Sequence, residues 1–131
     1  MQYKMHLGME PVGFSIPLEY GSLRVAGDES HGFRPFQLMT ASVAACSGGV
    51  FRNILKKQRI PLEDIRIEAE VTRNEKNTNR IEKIHLHFIL TGGKLRQDKV
   101  ERAIALTHKN CPMVQSVIGA IEVTETFEIT G

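Results

Sequence analysis

The spacing of apolar residues changes along the chain, and each change predicts a new element. From Pro35 to about Gln58, apolar residues recur every three or four positions, which is the period of an α-helix. Proline is favoured in the first turn of a helix, because its missing N–H would have no partner there. We therefore predict a long helix over 35–58, apolar around most of its circumference and central in the structure.

Strands are predicted on both sides of this helix. The first 30 residues are strand-like stretches interrupted by glycines, and they predict two or three antiparallel strands. After Pro61, apolar and polar residues alternate in DIRIEAEVT and again in RIEKIHLHFIL, and the polar linker RNEKNTN predicts a hairpin between them. A last alternating segment, IEVTETFEIT, predicts a final strand.

Two shorter helices are predicted between the hairpin and the final strand. Asp98 and Glu101 have the spacing of a capping box at the start of the first helix, and Pro112 begins the second. Cys111 lies on the apolar stripe of the helix that starts near Asp98, one turn beyond its last apolar residue. The whole order predicts an α+β protein with a single domain over 1–131, made of N-terminal strands (1–30), a central helix (35–58), and the hairpin, helices and last strand (62–131).

Composition and charge exclude several classes of protein. Apolar residues make up 41% of the chain and charged residues 24%, which is typical of a soluble globular protein. Seventeen Lys and Arg against fifteen Asp and Glu are too balanced to indicate nucleic acid or an anionic membrane as a partner. No apolar run reaches the roughly 18 residues that span a bilayer, and the N-terminus lacks a secretory signal pattern. We therefore expect a cytoplasmic protein, whose two cysteines are either buried bystanders or redox-active thiols.

Two motifs carry a resemblance to a known family. The sequence P-x-x-L-M-x-x-S-V-A-A-C ends at Cys46, and RAIALTHKNCP contains Cys111. With the hairpin between them, they make the chain resemble the OsmC/Ohr family from Pro35 to Phe127. The resemblance implies antiparallel strands wrapped around the long helix, an intertwined homodimer in which the two long helices pack together, and a peroxide-reducing site made of both cysteines.

The resemblance also implies roles for the two thiols. Cys46 would attack a peroxide oxygen and become a sulfenic acid, and Cys111 would condense with it to a disulfide that an external dithiol reduces. Because both cysteines lie on apolar stripes, we expect organic hydroperoxides as substrates, in oxidative-stress defence and without a cofactor. The other interpretation is that both are small core residues, as free cysteines often are.

One residue departs from the family pattern. In the peroxidases of the family a glutamate follows the helix-opening proline and works with an N-terminal arginine, but here that position is Phe36. Arg24 and Arg34 are candidates for the arginine, and His108, one turn before Cys111, could polarise that thiol. The favoured interpretation of each arginine is a solvated surface charge, and that of His108 is a histidine stabilised by the dipole at a helix C-terminus.

Gly48 and Gly49 are unusual inside a helix, since each costs about 1 kcal/mol relative to alanine. The resemblance suggests that they let the two central helices of a dimer approach closely. A kink or a close contact within one subunit would also explain them.

Two other functions remain open. A non-catalytic relative would bind a small hydrophobic ligand at the dimer interface, in a pocket lined by Phe36, Met39 and Phe51, although helical spacing explains these residues equally well as core. A metal could be held by His85 and His87 with His108 and Cys111, but the spacing is unspecific and alternation puts both strand histidines on the outward face. We therefore predict no metal site.

Overall fold

The computed structural model describes all residues, 1–131, and contains three helices and six strands. Its contacts divide the chain into two compact units, Met1–Met39 and Thr40–Gly131.

The first unit contains a small antiparallel sheet. Its strands are β1 (Gly8–Met9), β2 (Phe14–Pro17) and β3 (Ser22–Val25), in that order across the sheet. Gly13 precedes β2 with a φ of 78°, and a Cβ there would lie 2.2 Å from the carbonyl oxygen of Val25. Only glycine therefore fits this position, and the expectation of two or three N-terminal strands is confirmed.

The long helix α1 spans Pro35–Lys57, one residue shorter than predicted. At its start, the Arg34 carbonyl accepts hydrogen bonds from the backbone N–H groups of Gln37 and Leu38, at 3.0 and 3.1 Å. The Gln37 side chain accepts a 3.4 Å bond from the Arg34 N–H, as the second half of a capping box would.

The end of α1 is a Schellman motif. The Ile60 N–H donates to the Leu55 carbonyl at 2.9 Å, and the Arg59 N–H donates to the Lys56 carbonyl at 3.1 Å. Arg59 itself has a φ of 58°, in the left-handed region where glycine is usual.

Helix α1 is long and apolar enough to meet the length and composition test for a membrane span, with a window of mean hydropathy 1.2. The core helix of a soluble protein meets the same test. The helix contains no unbroken apolar run of that length, but its alanines and large apolar residues raise the mean hydropathy of a mixed segment enough to pass the test.

A second sheet forms the frame of the larger unit. Its strands are β4 (Asp64–Asn74), β5 (Arg80–Thr91) and β6 (Glu122–Thr130), with β5 in the middle. The hairpin of β4 and β5 is antiparallel as predicted, but β6 pairs with β5 in parallel. The direction of β6 differs from the expected antiparallel arrangement because two helices cross over between these strands, and such a crossover is the connection that parallel neighbours require.

The two crossover helices are α2 (Gln97–Asn110) and α3 (Pro112–Val117). The predicted capping box at the start of α2 is wrong, since Arg96 is the N-cap residue and makes no side-chain cap. Asp98 lies inside the first turn and instead pairs with Arg96 and Arg102, at 3.4 and 3.2 Å.

The core lies between the inner face of this sheet and the three helices. Alternate apolar residues of β5 are fully buried in it, as the alternating pattern predicts: Ile84, Leu86, Phe88 and Leu90. Gly48 of α1 is buried against β4, where a Cβ would lie 2.9 Å from Cδ1 of Ile67. The helix therefore comes close to the sheet at Gly48, and an alanine there would be crowded. Such a close contact within one subunit is one of the explanations that the sequence allowed for Gly48.

Candidate functional site

The first thiol is positioned by the middle of α1. Cys46 is half-buried and packs against the core, while the next residue, Ser47, is 1% exposed. Consecutive helical residues point about 100° apart. The helix thus presents a thiol and a hydroxyl side by side on its inner surface.

The second thiol lies at the junction of α2 and α3. Cys111 is both the C-cap residue of α2 and the N-cap residue of α3. Its N–H donates to the Thr107 carbonyl at 2.8 Å. Pro112 occupies the first position of α3, as is common because its ring already has a helical φ. The Cys111 side chain is completely buried.

The two helices bring the thiols together. Cys46 and Cys111 lie close enough for each thiol to change the ionisation of the other, and the Ser47 hydroxyl donates a 3.5 Å hydrogen bond to the Cys111 sulfur. The backbone N–H groups of Met113 and Val114, in the first turn of α3, also point at the Cys111 sulfur. The site is therefore a pair of sulfurs with several donors converging on one of them.

These donors separate the ionisation of the two thiols. Burial raises the pKa of Cys46, and the hydrogen bond and charge of Cys111 raise it further, against one opposing N–H of Met113. Burial also opposes ionisation of Cys111, but the Ser47 hydroxyl, the N–H groups of α3 and the Cys46 thiol outweigh it and lower the pKa of Cys111. A single negative charge shared by the pair therefore rests mainly on Cys111.

The residues expected to line a pocket lie in different places. Phe51 is fully buried, and its ring packs against that of Phe88 with centroids 5.5 Å apart. It thus has the core role that its helical spacing allowed, and lines no surface opening of this chain. Phe36 and Met39 belong to the first unit, and the pocket itself stays a prediction.

The two candidate arginines make other contacts. The Arg34 guanidinium lies over the Phe36 ring, 5.0 Å from its centroid, and its Nε is buried without a hydrogen-bond partner. A cation–π contact therefore stands where the family pattern has a carboxylate. Arg24 has an exposed side chain on β3.

The histidines are engaged elsewhere as well. His108 Nδ1 lies 2.6 Å from the Glu125 carboxylate, and His108 is not among the partners of Cys111. His85 and His87 point to the outer face of the sheet, as predicted, and their rings bridge to side chains of β6. No group of three His, Cys, Asp or Glu side chains is arranged to hold a metal ion in this chain. The ring partners on β6 are Thr124, Thr126 and Glu128.

Sequence reasoning missed Ser47 and the first turn of α3 as parts of the site. Ser47 directly follows Cys46 in the sequence, and nothing local indicates that its hydroxyl has a partner in another helix. The Cys-Pro pair did carry a usable signal, because proline at the first helical position makes the preceding residue an N-cap, where N–H groups lower the pKa of a cysteine.

Known proteins share both the sequence and the fold. Protein YhfA of Escherichia coli K12 is 28% identical over 96 residues, which are 72% of each chain. The organic hydroperoxide resistance protein OhrB of Bacillus subtilis is 28% identical over 92 residues, or 70% of this chain and 67% of that protein. A hypothetical protein from Aquifex aeolicus has a crystal structure that superposes with a TM-score of 0.87 at 24% identity, covering 99% of this chain and 98% of the other.

These similarities confirm the α+β fold and the family suggested by the two cysteine motifs. The profile of the family described as OsmC-like protein matches residues 27–126, which include both cysteines and every element from α1 to most of β6. The chain therefore belongs to the OsmC-like family, which includes organic hydroperoxide resistance proteins.

Proposed function

We propose that this protein is a thiol-dependent reductase of organic hydroperoxides, acting in oxidative-stress defence by a two-cysteine mechanism. The observation that carries the proposal is the proximity of the Cys46 and Cys111 thiols, with the Ser47 hydroxyl 3.5 Å from the Cys111 sulfur and with pKa values of the two thiols that shift in opposite directions. A pair that shares one charge supplies both a nucleophile and the thiol that resolves it. The name of the relative OhrB supports the same chemistry.

Exposure favours Cys46 as the sulfur that meets the peroxide, since Cys111 is completely buried. The Cys111 thiolate accepts the Cys46 proton, and the Cys46 sulfur attacks one peroxide oxygen. The O–O bond breaks, the alkoxide takes the proton from Cys111 and leaves as an alcohol, and Cys46 becomes a sulfenic acid. This proton relay replaces the carboxylate that Phe36 has removed.

The Cys111 thiolate then attacks the sulfenic sulfur. A disulfide forms, and hydroxide leaves and takes a proton from solvent to become water. Two thiols and one hydroperoxide thus give one disulfide, one alcohol and one water. An external dithiol restores the thiols, which suits a cytoplasmic protein.

A homodimer is part of the proposal. Large apolar side chains of the first unit are exposed in a single chain, more than an isolated soluble surface normally carries. A second copy would cover them, and it would also cover the open face of α1 at Gly49, where nothing lies within 4 Å of an added Cβ. The exposed side chains, each at least 47% accessible, are Met1, Tyr3, Met5, Leu7, Met9, Phe14, Tyr20 and Phe33.

The test is turnover of cumene hydroperoxide with dithiothreitol as the reductant. The wild type is expected to consume peroxide catalytically, and Cys46→Ser and Cys111→Ser are both expected to lose turnover. In Cys111→Ser, a dimedone probe should trap a sulfenic acid on Cys46 that forms more slowly than in the wild type, because the group that accepts the Cys46 proton has been removed. Turnover that survives Cys46→Ser, or an inactive wild type, would overturn the proposal and favour a binding protein instead.

A further inference from the structure

One residue on the inner face of β6 departs from the apolar pattern of that face. Glu125 lies between Val123 and Phe127, which both pack into the core, and its side chain is only 11% exposed. Thr124 and Thr126 bond histidines on the outer face, so alternation along the strand directs Glu125 inward. A carboxylate in this position is costly unless a second group binds it, so Glu125 requires a partner.

The partner of Glu125 is His108, in the last turn of α2. Its Nδ1 lies 2.6 Å from the Glu125 Oε2 atom. An ionised carboxylate can only accept hydrogen bonds, so the Nδ1 carries the proton and donates it. Hydrogen bonds to a charged acceptor are short and strong, and this one fixes the end of α2 to β6. The proposed peroxide chemistry uses neither side chain.

His108 is also bound to α3, through its backbone. The Gln115 side-chain nitrogen donates a 2.9 Å hydrogen bond to the His108 carbonyl. This carbonyl belongs to the last turn of α2, where no N–H of the same helix remains to bond it. Cys111 lies between His108 and Gln115 in the chain, at the junction of the two helices. Glu125, His108 and Gln115 thus hold this junction from two sides, and we call these three residues the clasp.

The position of Cys111 is critical for bond formation between the thiols. A disulfide needs sulfurs about 2.05 Å apart, and a displacement of about 1 Å can slow a reaction by about 100-fold. Cys46 is held in the middle of the long helix α1, whereas Cys111 lies where one helix ends and the next begins. Because helix ends fray, Cys111 is the thiol that needs an anchor.

We propose that Glu125 is a positioning residue, which acts through His108 to hold the Cys111 sulfur within bonding reach of the other thiol. Glu125 and His108 are not among the groups that change the ionisation of either thiol. The clasp therefore acts on where Cys111 lies and not on its charge. This role rests on the proposed function, in which it serves the second step, the closing of the disulfide.

Exchange with dithiothreitol tests this role on the full-length protein without peroxide. Oxidised dithiothreitol takes up two electrons and two protons from the Cys46 and Cys111 thiols, which form a disulfide, and the equilibrium gives a closing constant. In Glu125→Leu this constant is expected to fall about tenfold, equivalent to about 30 mV. Leucine suits the apolar row, and the His108 ring, 31% exposed, can bond water instead. The variant should therefore unfold close to the wild-type temperature.

Two further variants separate the hydrogen bonds from the fold. In Glu125→Gln the amide oxygen still accepts from the His108 Nδ1–H, so the closing constant should stay close to that of the wild type. Gln115→Ala removes the other arm of the clasp at an exposed position. It should lower the closing constant too, and it keeps the test decisive if Glu125→Leu is unstable.

Glu128→Leu is the matched control. Glu128 lies on the same strand and also bonds a histidine, His87 at 3.2 Å, but on the outer face. The closing constant of this variant should equal that of the wild type. An unchanged constant in Glu125→Leu, an equal fall in Glu128→Leu, or a fall in Glu125→Gln as large as in Glu125→Leu would overturn the proposal.

The same experiment separates this role from the proposed function. A wild type that forms the disulfide with dithiothreitol, and closes it less well in Glu125→Leu, but does not consume cumene hydroperoxide would support the clasp and overturn peroxide reduction alone. A wild type in which Cys46 and Cys111 never form a disulfide would overturn both.

Discussion

The hydroxyl of Ser47 donates a 3.5 Å hydrogen bond to the sulfur of Cys111, 64 residues away in sequence and in another helix. Both side chains are essentially inaccessible to solvent. This bond is the largest favourable contribution to the lowered pKa of Cys111, and it places the charge of the thiol pair on the buried sulfur. The more accessible Cys46 thiol then faces a thiolate that can accept its proton.

Replacing Ser47 with alanine should raise the pKa of Cys111. A hydrogen bond to a charged group contributes about 1.5 kcal/mol, so the equilibrium between thiol and thiolate should shift about tenfold toward the thiol, with a loss of peroxide turnover at pH values where the thiolate is no longer fully formed. Ultraviolet absorbance of the thiolate measures the first quantity directly. Ser22→Ala, which removes an exposed hydroxyl from β3, is the control and should leave both unchanged.

The two thiols should titrate in separate steps. Cys111, with its lowered pKa, should hold its thiolate down to pH values below the ordinary range and lose it as the pH falls through that lowered pKa. Cys46, with its raised pKa, should ionise only above the ordinary range. In Cys111→Ser the pKa of Cys46 should fall but stay raised, because burial is its largest cause. A Cys46 titration that is identical in wild type and Cys111→Ser would contradict the coupling.

Much of the fold follows from local pattern, and the parts that do not have a physical reason. Helix α1 and the hairpin of β4 and β5 were predictable because the spacing of apolar residues within each segment is enough to identify it. The parallel direction of β6 was not, since it depends on where two crossover helices return the chain. Periodicity marked Phe51 as inward-facing but did not distinguish a core contact with Phe88 from a pocket wall.

The site was predictable only in part. Motif context identified Cys46 and Cys111 as a pair, but which sulfur carries the charge depends on donors that meet in space. Ser47 and the N–H of Val114 reach Cys111 from different helices, so no spacing in the sequence encodes them. The left-handed Arg59 is likewise invisible to a pattern that expects glycine there.

Gly48→Ala tests the close contact of α1 with β4. Alanine should stabilise the helix by about 1 kcal/mol, but its Cβ would lie 2.9 Å from Cδ1 of Ile67 and force that side chain to move. We expect no net gain in the free energy of unfolding for Gly48→Ala. Ile67→Val removes Cδ1 and so makes room for the methyl group. In the Ile67→Val background, Gly48→Ala should therefore increase the free energy of unfolding, measured by urea unfolding in a double-mutant cycle. Additive effects would contradict the contact.

Gly49→Ala separates the two glycines, because nothing in the chain lies within 4 Å of an added Cβ at this position. The variant chain should therefore fold at least as well as the wild type. If a second copy packs on this face of α1, the methyl group should weaken the dimer about tenfold, equivalent to about 1.4 kcal/mol. Analytical ultracentrifugation over a concentration series measures this effect, and an unchanged dimer would place the interface elsewhere.

The most direct test of the two-cysteine account is the intact mass and free-thiol count of the protein before and after one equivalent of cumene hydroperoxide. Wild type should lose both thiols and the mass of two hydrogen atoms, as a Cys46–Cys111 disulfide requires. Cys46→Ser should keep its remaining thiol. Survival of both thiols in wild type under a large excess of peroxide would contradict the account, and would mean that the relay through Cys111 does not replace the carboxylate missing at Phe36.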